Sequence, residues 1–230
     1  MKAVVLSSGG VDSSTCLSLA VKEHGAENVS AMSVFYGQKH SRELECARKL
    51  ASFYGIKQYE FDLSAIMAYS SCPLLSGSKE EIKHKSYAEQ IAEDGEGMVA
   101  TYVPYRNGLM LSAAASLACS IYAGEDVLLY IGAHADDAAG NAYADCSMDF
   151  VEAIGKAINI GTYGKASICA PFAGTNKAGV VKKGLEIGTP YELTWSCYEG
   201  DEMPCGECGT CIDRAEAFRA NNVKDPALGN

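Results

Sequence analysis

Between an apolar run and a helical pattern, residues 8–14 read Ser8-Gly9-Gly10-Val11-Asp12-Ser13-Ser14, residue types that suit the binding of an anion. Glycines let the backbone come close, a helix amino terminus offers N–H groups with partial positive charge, and serine hydroxyls add donors. The competing reading is an ordinary glycine turn capped by Asp12 or Ser13. A strand before the segment and a helix after it, at the first crossover of the chain, favour the anion site. The segment is neither Gly-x-x-x-x-Gly-Lys-Ser/Thr nor Gly-x-Gly-x-x-Gly, so it is not a Walker site or a dinucleotide fingerprint.

A second cluster lies near the end of the chain, at Cys197-x7-Cys205-x2-Cys208-x2-Cys211. Thiolates at that spacing, with Gly206 and Gly209 allowing tight turns, fit a closed tetrahedral zinc site with Zn–S bonds of about 2.3 Å. An iron–sulfur cluster uses the same ligands, and unrelated thiols are the third reading. The remaining cysteines of the ten, among them Cys146, are scattered singly. In a chain without an export signal they read as reduced thiols rather than disulfides.

A chain of 230 residues with a hydrophobic share of 48% suffices for one principal α/β domain to hold these groups. A net charge of -10 argues against a broad phosphate-tracking surface and so against nucleic acid as a partner. The amino-terminal apolar run is too short for a signal segment, and no stretch approaches the roughly 20 residues of a membrane span. A cytoplasmic protein acting on small molecules is expected.

Apolar blocks alternate with helical patterns, as in a parallel sheet covered by helices. Strands are expected at 2–6, 29–35, 59–62, 126–131 and 166–170. Helices are expected at 12–22, 41–54 with Ser41 as its cap, 109–122, 150–158, 176–185 and 212–220. Residues 63–101, rich in Ser, Glu and Gly, read as an excursion or lid. Ligands would gather at the carboxyl ends of the strands.

Ser-Gly-Gly-x-Asp-Ser resembles the pyrophosphate loop of the N-type ATP pyrophosphatases. With this loop at the start and the cysteine cluster at the end, most of the chain resembles the 7-cyano-7-deazaguanine synthase family of queuosine biosynthesis. Tyr36-Gly37-Gln38-Lys39-His40 is similar to that family's Tyr-Gly-Gln-Arg-His. Thr101-Tyr102-Val103-Pro104-Tyr105-Arg106-Asn107 is similar to its Thr-Phe-Val-Pro-Gly-Arg-Asn. Asn176-Lys177-Ala178 and Thr194-Trp195-Ser196-Cys197-Tyr198 also have counterparts.

The resemblance implies a Rossmann-like, adenine nucleotide α-hydrolase-like three-layer α/β sandwich over 1–196, with 63–101 as the excursion, and a zinc-binding segment and helix over 197–230. It implies a homodimeric ligase. In that chemistry 7-carboxy-7-deazaguanine is adenylated by ATP and ammonia displaces AMP to give the amide. A second adenylation then leads to the nitrile, pyrophosphate leaving at each activation.

By the same resemblance Ser8, Gly9, Gly10, Val11, Asp12, Ser13, Ser14 and Phe35 would meet the nucleotide. Arg106 and Lys177 would place cations on the phosphates, Asp12 would assist Mg2+, and Cys197, Cys205, Cys208 and Cys211 would hold Zn2+. Tyr36, Gln38, His40, Asn107, Asp137, Tyr143 and Asp145 would meet the substrate. Either Asp137 or Asp145 would accept from a guanine-like edge, and Tyr143 or Phe35 would stack on the ring.

Blander roles compete with these. Arg106 would be a surface ion pair, Lys177 a solvated helix start, the aspartates loop caps, the aromatics and Cys146 core residues, and His134 a core histidine rather than a general base. The chain departs from the family pattern between Gly132 and Phe150. It keeps Asp137, Gly140, Tyr143, Asp145 and Cys146 but has Ser147 where the family has Arg. That departure motivates a relative that stops at the amide or joins the activated deazaguanine to a protein amine. A tRNA-thiolating pyrophosphatase and a non-catalytic ATP-binding zinc protein are more distant alternatives.

Overall fold

Alternation along β1 (Lys2–Leu6) sends Val4 into one hydrophobic cluster and Ala3 and Val5 into another. Successive strand residues face opposite ways, so a strand apolar throughout must be covered on both sides. The structure, a computed structural model, describes residues 1–39, 42–95, 97–200 and 202–228. In it β1 is followed by α1 (Val11–His24), β2 (Val29–Phe35), α2 (Arg42–Tyr54), β3 (Lys57–Asp62), the short α3 (Ser64–Met67), α4 (Tyr87–Asp94) and α5 (Arg106–Ile121). Then come β4 (Val127–Tyr130), the single turn α6 (Ala135–Ala138), α7 (Met148–Gly161), β5 (Ala166–Cys169), α8 (Lys177–Ile187) and α9 (Gly209–Ala220).

The strands form a parallel sheet in the order β3-β2-β1-β4-β5, with Ala3 opposite Val29 on one side and Leu128 on the other. Leu17 and Ala20 of α1, Leu50 of α2 and Val180 of α8 pack on the face that carries Ala3 and Val5. Leu111 and Ala114 of α5 and Ile154 of α7 pack on the face that carries Val4 and Leu129. The result is the expected three-layer sandwich. Leu17, Leu50 and Leu111 are fully buried, each contributing about 1.5–3 kcal/mol. The chain crosses the sheet between β3 and β4, so β1 and β4 open a crevice at their carboxyl ends, where ligands of doubly wound sheets bind.

Two helices start three residues before the sequence expectation, and a distant contact sets the first of them; α1 and α7 start one and two residues early. Helix α5 begins at Arg106, three residues before Leu109. Tyr105 ahead of it is left-handed (φ 55°) and supplies no side-chain cap, but Asp145 Oδ2 accepts from the Asn107 amide at 2.9 Å. Helix α9 begins at Gly209 rather than Ile212, inside the cysteine cluster. The cap expected at Ser41 lies outside the described residues.

Met67, Cys72, Leu74, Leu75 and Val99 of the 63–101 segment are buried in the same cluster as Leu111 of α5, and an isolated bridge ties Leu75 to Gln38. The carboxyl-terminal segment packs on the first helix: Ala217 and Phe218 share a cluster with Val11 and Val181. Arg214 grips Asp225 through Nε–Oδ2 at 2.6 Å and Nη2–Oδ1 at 2.9 Å. Among the described residues no helix is long and apolar enough to cross a membrane.

Candidate active site

The loop after β1 is shaped by its own hydroxyls. Ser13 Oγ accepts from the Ser8 amide at 3.2 Å and lies 3.0 Å from Ser8 Oγ, which accepts from the Gly10 amide at 3.3 Å. Gly10 caps α1 without a side-chain hydrogen bond, and the Ser13 hydroxyl turns back to the Ser8 amide and the Gly10 carbonyl, so the first-turn amides remain available to an anion. Gly9 has φ +86°, and a Cβ there would collide with the Glu43 carbonyl and the Ala47 nitrogen. Glycine is therefore required for α2 to pack against the loop. The Trp195 amide donates to Gly9 O at 2.9 Å, fastening the segment that leads into the cysteines.

A cavity of about 220 Å3 opens beside this loop at the carboxyl ends of β1, β2 and β4. Of the residues singled out in the sequence, Ser8, Gly10, Val11, Asp12, Ser13, Tyr36, Gln38, Arg106, Asn107, Asp137, Tyr143 and Lys177 line it. Gly9, Ser14, Phe35 and Asp145 do not. Ser14 is buried and donates to Gly10 O at 2.6 Å. Strand alternation gives the cavity to Val34 and Tyr36 and turns Phe35 away. Asp145 is occupied as the cap of α5. His40 lies outside the described residues.

The charged end of the cavity is built from three elements. Lys177, first residue of α8, reaches Asp12 Oδ2 at 2.9 Å. His134, just beyond β4, is almost wholly buried, with Nε2 3.7 Å from Asp12 Oδ1 and 3.5 Å from Asp137 Oδ1. Burial works to raise Asp12, but the charges of Lys177 and His134 overcome it and hold the carboxyl well below its ordinary value. For Asp137 burial prevails over His134 and Lys177, and its pKa is raised. Burial tends to lower Lys177, but Asp12 and Asp137 reverse that and keep it cationic. Asp136 Oδ2 accepts from the Lys177 amide at 2.8 Å and Asn176 Oδ1 from that of Gly179 at 2.9 Å, fixing the start of α8.

Asp12 Oδ1 is buried without a hydrogen-bond partner. That oxygen and the neighbouring Asp137 carboxylate are hard donors of the type magnesium takes.

Across the cavity, Arg106 Nη1 donates to Tyr36 Oη at 3.2 Å, its guanidinium 5.2 Å from the ring centroid. Tyr143 Oη is 2.6 Å from Thr101 Oγ1, and Asn107 Nδ2 contacts Cys146 Sγ at 3.2 Å. Burial pushes the Cys146 thiol far above its ordinary value, which disfavours the thiolate that a nucleophile needs. Glu43, from the first turn of α2, also lines the cavity; burial, opposed by Arg106, pushes it up to about 7. The sequence reading missed Glu43, along with Ser196, Tyr198 and Thr210 of the wall. Its only signal was an acid five residues after the Gln38 motif, on a helix whose cavity-facing side depends on the packing at Gly9.

The Cys197, Cys205, Cys208 and Cys211 sulfurs lie within 4.8 Å of one another. Cys197 Sγ accepts from the amides of Gly200 at 3.0 Å, Cys205 at 3.2 Å and Glu199 at 3.4 Å, and Cys205 Sγ from that of Cys208 at 3.3 Å. Thiols of Cys208 and Cys211, then these amides, hold Cys197 well below its ordinary value. Thiolates oriented by amides in this way fit a metal ion.

The model of the family described as "Queuosine biosynthesis protein QueC" matches residues 2–222 of the chain. The chain is 42% identical over 231 residues to the 7-cyano-7-deazaguanine synthase of Archaeoglobus fulgidus, covering 100% of this chain and 91% of that protein. It is 41% identical over 225 residues to the protein of that name from Pseudoalteromonas atlantica, covering 98% and 97%.

Among solved structures it resembles an NMN synthetase from Francisella tularensis, with a TM-score of 0.51 at 14% identity over 97% of this chain and 78% of that one. It also resembles the U34-tRNA thiolase NcsA from Methanococcus maripaludis, with a TM-score of 0.50 at 14% identity over 96% and 65%. At such identity the structural likeness is one of fold.

Proposed function

The chain belongs to the QueC family of queuosine biosynthesis proteins, and from that membership we propose that it is an ATP-dependent carbon–nitrogen ligase making 7-cyano-7-deazaguanine from 7-carboxy-7-deazaguanine and ammonia. The observation that carries the reading is the convergence of the Ser8–Ser13 loop, Lys177, Arg106 and Asp137 on one cavity at the switch point of the sheet. A carboxylate is a poor electrophile because its leaving group is an oxide. Adenylation replaces that with AMP, after which the ammonia nitrogen bonds to the carbonyl carbon as the carbon–oxygen bond to AMP breaks. Adenylation of the resulting amide oxygen, followed by loss of AMP and two protons from the nitrogen, leaves the nitrile.

In this reading the amides at the start of α1 and the Ser8 and Ser13 hydroxyls receive the departing pyrophosphate, and Lys177 and Arg106 stabilise charge as it moves onto the phosphates. Asp12 and Asp137 would hold magnesium, which supplies neutralisation across phosphate oxygens when bound. Tyr36, Gln38, Asn107 and Tyr143 form the wall against the deazaguanine. The four cysteines would hold a structural zinc, since all four positions are filled by protein ligands. We take the enzyme to be a cytoplasmic homodimer acting on small molecules; the net charge of -10 supports the last point.

A second reading stops at the amide or at a protein conjugate. It is favoured by Ser147, which stands where the family pattern has Arg and here caps α7 by accepting from the Phe150 amide at 3.2 Å. AMP and pyrophosphate release that depends on the carboxylated substrate and is abolished in Asp12→Ala would support ATP-driven ligation. Equal release without that substrate, or none with it, would contradict it.

A further inference from the structure

The acids around the cavity differ in what already occupies them. Asp12 is engaged by Lys177 at 2.9 Å. Asp137 lies 3.5 Å from the His134 ring and accepts from the His134 amide at 3.4 Å. Asp145 caps α5 and does not line the cavity. Both aspartates proposed for ring recognition already hold partners: Asp137 at the charged end, and Asp145 at the helix start.

Glu43 differs from all three. It lines the cavity beside Tyr36, Tyr198 and Arg106, and among the described residues its carboxylate has no hydrogen-bond or ion-pair partner. Its position is fixed, because the first turn of α2 rests on Gly9, where a side chain would collide with the Glu43 carbonyl. A guanine-type edge presents a ring N–H and an exocyclic amino N–H side by side. A carboxylate accepts such a pair through both oxygens, whereas an amide side chain offers only one acceptor.

We propose that Glu43 is the residue that reads the deazaguanine ring, its two oxygens accepting the ring N–H and the exocyclic amine while Tyr36 and Tyr198 flank the ring. This assignment rests on the proposed function. A carboxyl that burial disfavours as an anion gains most from two donors that arrive with the ligand. It also penalises a ring that leaves one oxygen unpaired. Arg106, whose charge already acts on Glu43, would hold the charge of the ring's carboxylate or of the phosphate rather than the edge.

The test compares AMP formation from 7-carboxy-7-deazaguanine with that from the analogue lacking the exocyclic amine, in wild type, Glu43→Gln and Glu43→Asp. Wild type should favour the amino-bearing ring by at least about 100-fold in kcat/KM. Glu43→Gln should lose most of that factor on the amino-bearing ring, mainly in KM, and almost none on the analogue, so that the ratio falls to within a few-fold. Glu43→Asp should retain part of the preference. An unchanged ratio in Glu43→Gln, or equal losses on both rings as expected of a residue that handles ammonia or only supports the fold, would overturn the assignment while leaving the proposed function intact. Wild-type protein that forms AMP with neither ring would overturn the proposed function and this assignment with it.

Discussion

Replacing Lys177 by Met keeps the stem of the side chain and removes its charge, which isolates what the cation does. The ammonium lies 2.9 Å from Asp12 Oδ2 at the mouth of the phosphate loop, with only 13% of the side chain exposed. A unit charge about 4 Å from a phosphoryl oxygen, at the effective dielectric of about 20 that suits such sites, is worth about 4 kcal/mol. If that interaction strengthens as charge moves onto the leaving pyrophosphate, its loss lowers kcat by about 10^3-fold.

The same substitution leaves Asp12 with His134 as the remaining neighbour that lowers it. A fully buried pair broken this way costs about 3–5 kcal/mol; with Asp12 at 24% exposure, about 2 kcal/mol is expected at pH 7. Asp12 is held below its ordinary value in the folded chain. The stability it contributes is therefore present above an unfolded carboxyl pKa of about 4 and is lost as pH falls, so the deficit of the variant should narrow toward pH 2. Single-turnover AMP formation and urea midpoints across pH measure the two effects. A kcat within fivefold of wild type in a folded Lys177→Met protein would refute the assignment of this cation to the phosphates.

Glu43→Gln carries a pH signature separate from ligand recognition. Burial, against the opposing charge of Arg106, raises Glu43 to about 7, so its contribution is complete below an unfolded pKa of about 4.3 and is lost as pH rises through 7. Relative to wild type, Glu43→Gln should gain about 2 kcal/mol between pH 4 and pH 8, read from urea midpoints; a flat difference would show that the carboxyl is not desolvated. The four-cysteine site should hold about one zinc per chain, and its removal by chelator should lower Tm by at least about 5 °C. Trp195 Nε1 donates to Cys197 O at 2.9 Å, so the fluorescence of this single tryptophan should shift as well. Iron and sulfide in freshly isolated protein in place of zinc would contradict that account.

The sheet and the helices that cover it, α1, α2, α5, α7 and α8, were legible in the sequence because their signals are local, whereas α3, α4 and α6 were not expected. Val4 and Val5 demand cover on both faces, and Gly25 and Gly188, with φ of +79° and +75°, end α1 and α8 where a helix needs a residue free to turn. The phosphate loop and the cysteines were legible because their chemistry requires adjacency. What the sequence hid are relations between distant residues. Arg106-Asn107-Gly108 reads as a loop, yet it becomes the first turn of α5 once Asp145, 38 positions away, accepts its amide. That same contact gives Asp145 to the helix start, and it does not line the cavity. Phe35 is as plausible a stacking partner as Tyr143 until strand register turns it away from the cavity that Tyr143 lines. Glu43 is one of two acids on an amphipathic helix until Gly9 sets how closely that helix approaches.

Mass identification of the product, with AMP counted alongside it, tests the central claim most directly. Purified protein is supplied with 7-carboxy-7-deazaguanine, ATP, magnesium and ammonium. The account predicts a nitrile, about two AMP and two pyrophosphates released for each, and a transient amide that chases to nitrile when more ATP is added. Release of ADP and phosphate in place of AMP and pyrophosphate would contradict the phosphate loop's assigned role, and an amide that accumulates at one AMP per molecule and never dehydrates would contradict the proposed product.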